Sequence, residues 1–359
     1  MQRGYELWAD LTNKNGGLLG RQVRFDIIND ASKTEQTLTN YEKLIAQDHV
    51  NFVVGPFADD FTVAGARVAK RHHYLFLEGV GTSPSTFQQN LDNLFSVSLS
   101  ATKYLSTFVD YVLSLPKDIR PRTVAYAGSD DPFTQPQIDT AKPQFEAGGL
   151  KTALYSIYPA ETTDFTPIAQ KIIASGADVV VLGTLGLSDC AAFLQAFKQQ
   201  HFNPKLIIAT AGPDQGDAFV KALGGTQSAE GLIVPNDGWW PTKAQDAFQQ
   251  EQFISGYQAK YGGTPDDISS DTVQAFSVMQ VLTQAINKIH SLDNVALMQV
   301  LRTNTFSTLQ GPVKFGADGQ NIASIPFLFQ WQKGHLIPVF PLNEAQQNPE
   351  FPKPVWPTS

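Results

Sequence analysis

Short apolar, β-rich runs recur along this chain, separated by stretches whose apolar residues fall at helical spacing. The runs are VRFDIIND (residues 23–30), FVVG (52–55), the segment 74–80, TVAYAG, TALYSIY, ADVVVLG and KLIIATAG. Leu38, Tyr41 and Ile45 share one helical face after the first run, and Phe61, Ala64 and Val68 do so after the second. Repeated alternation of this kind predicts parallel sheets built of βαβ units. Parallel strands are covered on both faces, which accounts for runs that are nearly all apolar.

The alternation changes character twice. LFSVS (residues 94–98) leads into an expected long helix and then PKDIRPRT, after which the pattern restarts. Around residues 234–238 a strand ends in PNDGWWP, and two long helices follow. Later, GPVKFGADGQ is turn-rich, and IPFLFQWQKGHLIPVF reads as two antiparallel strands. The tail, PEFPKPVWPTS, has too many prolines for a helix or a central strand. With 359 residues and 42% hydrophobic content, the chain is long enough for two domains with their own cores.

Charge and motifs narrow the function. A net charge of −8 and a pI near 5.2 argue against a nucleic-acid partner or an anionic membrane surface. No apolar run approaches the roughly 20 residues that span a bilayer. The opening MQRGYELWADL lacks the basic-then-apolar pattern of a signal peptide. The chain is therefore expected to be cytosolic, or secreted with its leader missing. The single cysteine, Cys190, allows no intrachain disulfide. It shares an i, i+3, i+4, i+7 stripe with Phe193, Leu194 and Phe197, which predicts a buried helix face. There is no GxxxxGK[ST], HExxH, CxxC or GxSxG, so no cofactor, metal or catalytic residue is expected. GVGTSP starts like a dinucleotide fingerprint, but Pro84 stands in place of the third glycine. The adjacent His72 and His73 read as a surface turn.

What remains is a set of polar loops at strand ends: PFADD (56–60), GVGTSPS (79–85), SDDPFT (129–134) and AGPDQG (211–216). Ligands of open parallel sheets bind just beyond the carboxyl ends of strands. Glycine lets backbone N–H groups approach a ligand, and a following helix aims its positive end there. One such loop alone is an ordinary helix cap. Together they suit a binding cleft.

Five segments extend the argument: LWADLTNKNGGLLGRQVRFDIIND, VVGPFADDFTVAGARVA, AYAGSDDPFTQ, YGGTPDDISSDTVQAFSVMQVLTQAI and GPVKFGADGQ. In order and spacing they resemble the type 1 periplasmic binding proteins of ABC importers, in the branched-chain amino-acid (Leu/Ile/Val) receptor group. The resemblance covers nearly the whole chain. It implies an α/β fold of two doubly wound parallel-sheet lobes, joined by a three-segment hinge with a ligand cleft between them. The crossings fall near residues 96–101, 234–238 and 315–323. Lobe 1 then takes residues 1–98 and 238–318, lobe 2 takes 99–237 and 319–340, and 341–359 form an irregular tail. The implied function is a non-catalytic, monomeric receptor for a small molecule, docking transiently on an ABC permease in the membrane. The location is periplasmic or extracellular, with or without a lipid anchor. The same fold could instead serve a signalling sensor, or an enzyme using the same cleft.

The resemblance also implies site residues. Thr82 falls where the family holds a ligand carboxylate with a hydroxyl and nearby amides, here those of Gly79 to Gly81, so Val80 and Gly81 join the expected ligand-binding residues. Phe133 replaces a tyrosine that packs on the ligand, and Asp214 falls where an acid meets its ammonium. Phe57, Ala58 and Asp59 complete the first lobe's contribution. Two adjacent tryptophans do not easily enter one core, so Trp239 or Trp240 is expected on the hinge side of the cleft. Two departures stand out. The family's first strand would precede Met1, and Asp59 stands where serine is usual. Asp59 either caps the following helix or meets a neutral or cationic ligand group. Because Asp60 is also available as a cap, the second outcome is the expectation, with amines, amides or polyols as ligands.

Overall fold

The computed structural model describes residues 1–242 and 248–356. The chain forms two compact units and passes between them three times. It starts in unit 1 (Met1–Ser100) with α1 (Gln2–Lys14), α2 (Thr34–Ala46), β1 (Val53–Val54), α3 (Asp59–Arg71), β2 (Phe76–Glu78), α4 (Pro84–Phe87) and β3 (Leu94–Ser96). Unit 2 (Ala101–Asp237) continues with α5 (Ser106–Ser114), β4 (Thr123–Asp130), α6 (Thr134–Ala147), β5 (Lys151–Pro159), α7 (Thr166–Ser175), β6 (Val179–Gly183), α8 (Leu187–Gln199), β7 (Leu206–Ala209), α9 (Asp217–Leu223) and β8 (Ile233–Asn236). The return to unit 1 (Gly238–Ser324) adds α10 (Gln250–Tyr261), α11 (Ser270–Ile289), α12 (Asn294–Thr303), β9 (Thr305–Thr308) and β10 (Gly311–Lys314). From Ile325 onward the chain belongs to unit 2 and supplies β11 (Phe327–Gln332) and β12 (His335–Phe340).

Unit 2 shows why its strands are nearly all apolar. Its seven-stranded sheet has the order β12-β11-β8-β7-β6-β4-β5, parallel from β8 to β5 and antiparallel at the β11–β12 hairpin. Alternate residues serve opposite faces. Val124, Tyr126, Val179 and Val181 pack in one cluster with Phe108 and Phe145, while Ala125, Ala127, Val180 and Leu182 pack in another with Phe193 and Phe197. The predicted α8 stripe is buried as expected, with Cys190, Phe193 and Phe197 all at 0% exposure. The tail is irregular but not loose. The Trp356 indole N–H donates to the Glu230 carbonyl (2.9 Å), its ring joins the second cluster, and the Lys353 ammonium lies 3.5 Å from the ring centre.

Unit 1 has a smaller parallel sheet, β1-β2-β3, covered by the long α11, on which α1 also packs. Tyr5, Leu7 and Trp8 of α1 share a core with Val273, Phe276 and Val281 of α11. Two sequence expectations change here. Residues 23–30 were expected to form a strand, but they join no sheet among the described residues. Asn13 takes both backbone groups of Val23 through its side chain (2.7 and 2.8 Å), and Ile27 is 51% exposed. Among the described residues β1 pairs only with β2, and a cavity of about 470 Å³ lies beside it, lined by Val23, Phe25, Tyr41, Phe52, Val54 and Leu282. The second change is the antiparallel β9–β10 hairpin, in a stretch read as turn-rich.

Removing the tail's anchor should be costly. Trp356→Ala is expected to destabilise the protein by roughly 3–5 kcal/mol, the usual range for a buried tryptophan. A urea melt followed by far-UV circular dichroism checks it, and a loss below about 1 kcal/mol would mean that the tail does not support unit 2.

Candidate functional site

Wherever a parallel strand ends and a helix begins, several backbone N–H groups lose their regular partners. In unit 1 those donors surround the loop after β2. Ser83 caps α4, and its side chain accepts from Thr86 N. Asp59, the first residue of α3, reaches across to the same turn. Its Oδ1 accepts from Ser83 N (2.9 Å) and from the Thr86 hydroxyl (2.6 Å). Asp59 is 7% exposed, so this is a buried, charge-assisted tie. Asp59 thus braces the turn that opens α4, whose cap is Ser83. Ala58 before it has φ 76°, an uncommon conformation for a residue with a Cβ, and Phe57 is 56% exposed.

Sequence reasoning missed Glu78. It was read as part of an apolar strand, yet its carboxylate is the centre of this loop. Glu78 Oε2 accepts from Val80 N (2.6 Å) and from Gly81 N, two of the three amides that the resemblance assigns to a ligand carboxylate. The residue is 0% exposed. Gly55 makes room for it, since a Cβ there would lie 2.2 Å from the Glu78 Cβ. Gly81 is equally constrained, because a Cβ would press on Thr62 at 2.8 Å. The detectable signal was one acid inside an apolar run, directly before Gly-x-Gly.

Burial pushes the Glu78 carboxyl up to about 7. The Ser96 side chain and the Gly81 and Val80 amides favour the charged form, and the nearby Asp59 charge opposes it. Tyr5 of α1 and Tyr41 of α2 are also held neutral, Tyr5 by burial and the Glu78 charge, and Tyr41 by burial and then by Tyr5, Asp30 and Glu78. Thr82 is 2% exposed, and its hydroxyl has no hydrogen-bond partner among the described residues.

Unit 2 uses the same device. Asp131 Oδ1 accepts from Phe133 N (2.8 Å) and Thr134 N (3.0 Å) at the start of α6. Asp189 accepts from Leu185 N, Gly186 N and Cys190 N at the start of α8. Asp214 Oδ1 accepts from Gly212 N (3.1 Å). Phe133 is half-buried and stands edge-on to Tyr104, with ring centres 5.2 Å apart. Trp239 and Trp240 are both only 5% exposed. Trp239 meets Phe253 edge-on at 5.8 Å in the core of unit 1, so an adjacent tryptophan pair can be buried after all.

Comparison with known proteins gives a consistent picture. The sequence pattern of the periplasmic binding protein family matches residues 1–335. A relative from Brucella suis, the Leu/Ile/Val-binding protein homolog 7, is 25% identical over 94% of this chain and 86% of its own length. A branched-chain amino acid transporter substrate-binding protein from Streptococcus pneumoniae, solved with isoleucine, has the same fold with a TM-score of 0.77. It is 19% identical, covering 98% of this chain and 94% of that one. A solute-binding protein from R. palustris, solved with benzoate, gives a TM-score of 0.75 at 16% identity, covering 94% and 89%.

The buried Glu78 has a measurable consequence. Its folded pKa lies above the unfolded one, so the folded state keeps a proton that the unfolded state releases. That contribution is fully present below about 4.5, and it is lost as pH rises to about 7. Relative to Glu78→Gln, the native protein should lose about 3 kcal/mol of stability across this window. Parallel denaturant melts of the two proteins at pH 4.5, 6 and 8 check it. A constant difference between them would show that Glu78 does not titrate in the window.

Proposed function

The chain belongs to the periplasmic binding protein family, and on that premise we propose that it is the extracytoplasmic solute receptor of an ABC importer. It closes its two lobes on a small polar molecule and hands that molecule to a membrane permease. The observation that carries the reading is the Thr82 hydroxyl. It is a buried polar group with no internal partner among the described residues, at the carboxyl end of a parallel strand. Buried polar groups are normally satisfied, and strand ends of open sheets are where ligands sit.

The ligand is an amino acid or a related amide, amine or small acid. The Leu/Ile/Val-binding name of the Brucella relative supports an amino acid, and the isoleucine and benzoate in the two solved structures support a molecule of that size. The protein acts without catalysis. Burial, together with the Asp189 and Asp214 charges, pushes the Cys190 thiol well above its ordinary value, which removes it as a nucleophile. Among the described residues no helix is long and apolar enough to cross a membrane.

A thermal-shift screen of amino acids, amides, amines and small aromatic acids tests the receptor reading. A ligand at 100 times its dissociation constant stabilises the fold by about 2.7 kcal/mol. A screen without a hit would count against the reading. With a hit in hand, Thr82→Ala should weaken its binding by roughly 10- to 150-fold, the value of a hydrogen bond to a charged group. Its melting temperature should stay near that of the native protein, because Ser83 rather than Thr82 caps α4. A lowered melting temperature with unchanged affinity would make Thr82 a structural residue.

A further inference from the structure

The loop after β2 already engages carboxyl groups, and they belong to the protein. Glu78 takes the Val80 and Gly81 amides, and Asp59 takes the Ser83 amide and the Thr86 hydroxyl. Of the amides from 80 to 83, those three point at the chain's own carboxylates. Glu78 forms no salt bridge to a Lys or Arg among the described residues. The Glu78 side chain is fully enclosed, with Gly55 on one side and Ser96 on the other.

We propose that Glu78 sets the charge of the ligand group that this loop accepts: its carboxylate occupies the amide pair, so the ligand presents an uncharged or cationic group there. The inference rests on the reading that the loop carrying Thr82 meets the ligand. A second carboxylate would find two of its expected donors engaged, with like charge behind them. At a separation of about 4 Å and an effective dielectric of about 20, that repulsion is worth roughly a thousandfold in affinity. Glu78→Gln removes the charge and its repulsion, although its amide oxygen can still accept from Val80 and Gly81; Glu78→Ser also frees those two N–H groups for an incoming carboxylate. The Asp59 charge remains, so the change should be smaller than that limit.

The test uses two pairs of probes that differ in this one feature: L-leucine against L-leucinamide, and benzoate against benzamide. Dissociation constants are measured by calorimetry at pH 8 for the native protein, Glu78→Gln and Glu78→Ser. Glu78→Gln keeps the side-chain shape, and circular dichroism confirms that each variant is folded. In at least one pair, the acid-to-amide affinity ratio should move toward the acid by about 30-fold or more in both variants, with acid binding gained outright. A purely structural Glu78 would lower the affinity of both members alike and leave the ratio where it was. A native protein that binds the acid more tightly than its amide overturns the proposal, as does a variant that gains no acid binding. Hits for the native protein in the ligand screen with an unmoved ratio sink this inference alone. No native hit and no gain in the variants sinks the receptor reading with it.

Discussion

A parallel strand that gives way to a helix leaves backbone N–H groups pointing at nothing, and this chain meets that constraint with carboxylates. Asp59, Glu78, Asp131, Asp189 and Asp214 each accept from amides in a strand-end loop. The arrangement suits the helix ends, whose partial positive charge favours an anion. It also suits the sheets, because each tie fixes the direction in which the chain leaves its strand. In both units, therefore, the loops that bear the candidate site are held by the same interaction that lets the strands end where they do.

The sheet of unit 2 was legible because its information is redundant. TVAYAG and ADVVVLG are apolar at every side chain that matters, and the two faces they fill are both core. Either face alone would have marked them as strands. VRFDIIND lacked that redundancy. Arg24, Asp26 and Asp30 interrupt its pattern, so strand character depended on a sheet neighbour that composition does not encode. Among the described residues it has none, and the Asn13 side chain serves in place of a ladder at Val23. The β9–β10 hairpin was hidden for the opposite reason. Pro312 and a polar alternation disguise two short strands, although Gly311 at φ 107° marks the turn.

The site was legible as loops and illegible as chemistry. Sequence position located Thr82 at a strand end, and the structure buries its hydroxyl there. Ser83 and Thr86, which donate to Asp59, lie 24 and 27 residues away, so no local pattern could show that Asp59 braces the turn before α4. Glu78 was masked by its neighbours: an acid in YLFLEGV reads as a strand residue until the backbone folds Val80 and Gly81 back on it. The adjacent tryptophans are both buried, which their spacing alone did not suggest. One strand end turns sharply enough after Gly238, at φ 107°, for both rings to be buried.

The lone cysteine turns one helix into a clock. Cys190 is fully enclosed beneath α8 in unit 2, and unit 1 has no thiol at all. An alkylating reagent therefore reacts only during excursions that expose that helix face. At low reagent the labelling rate counts how often the open form is populated; at saturating reagent it counts how often unit 2 opens. A single mass measurement thus times the breathing of one half of the molecule while the other half stays silent.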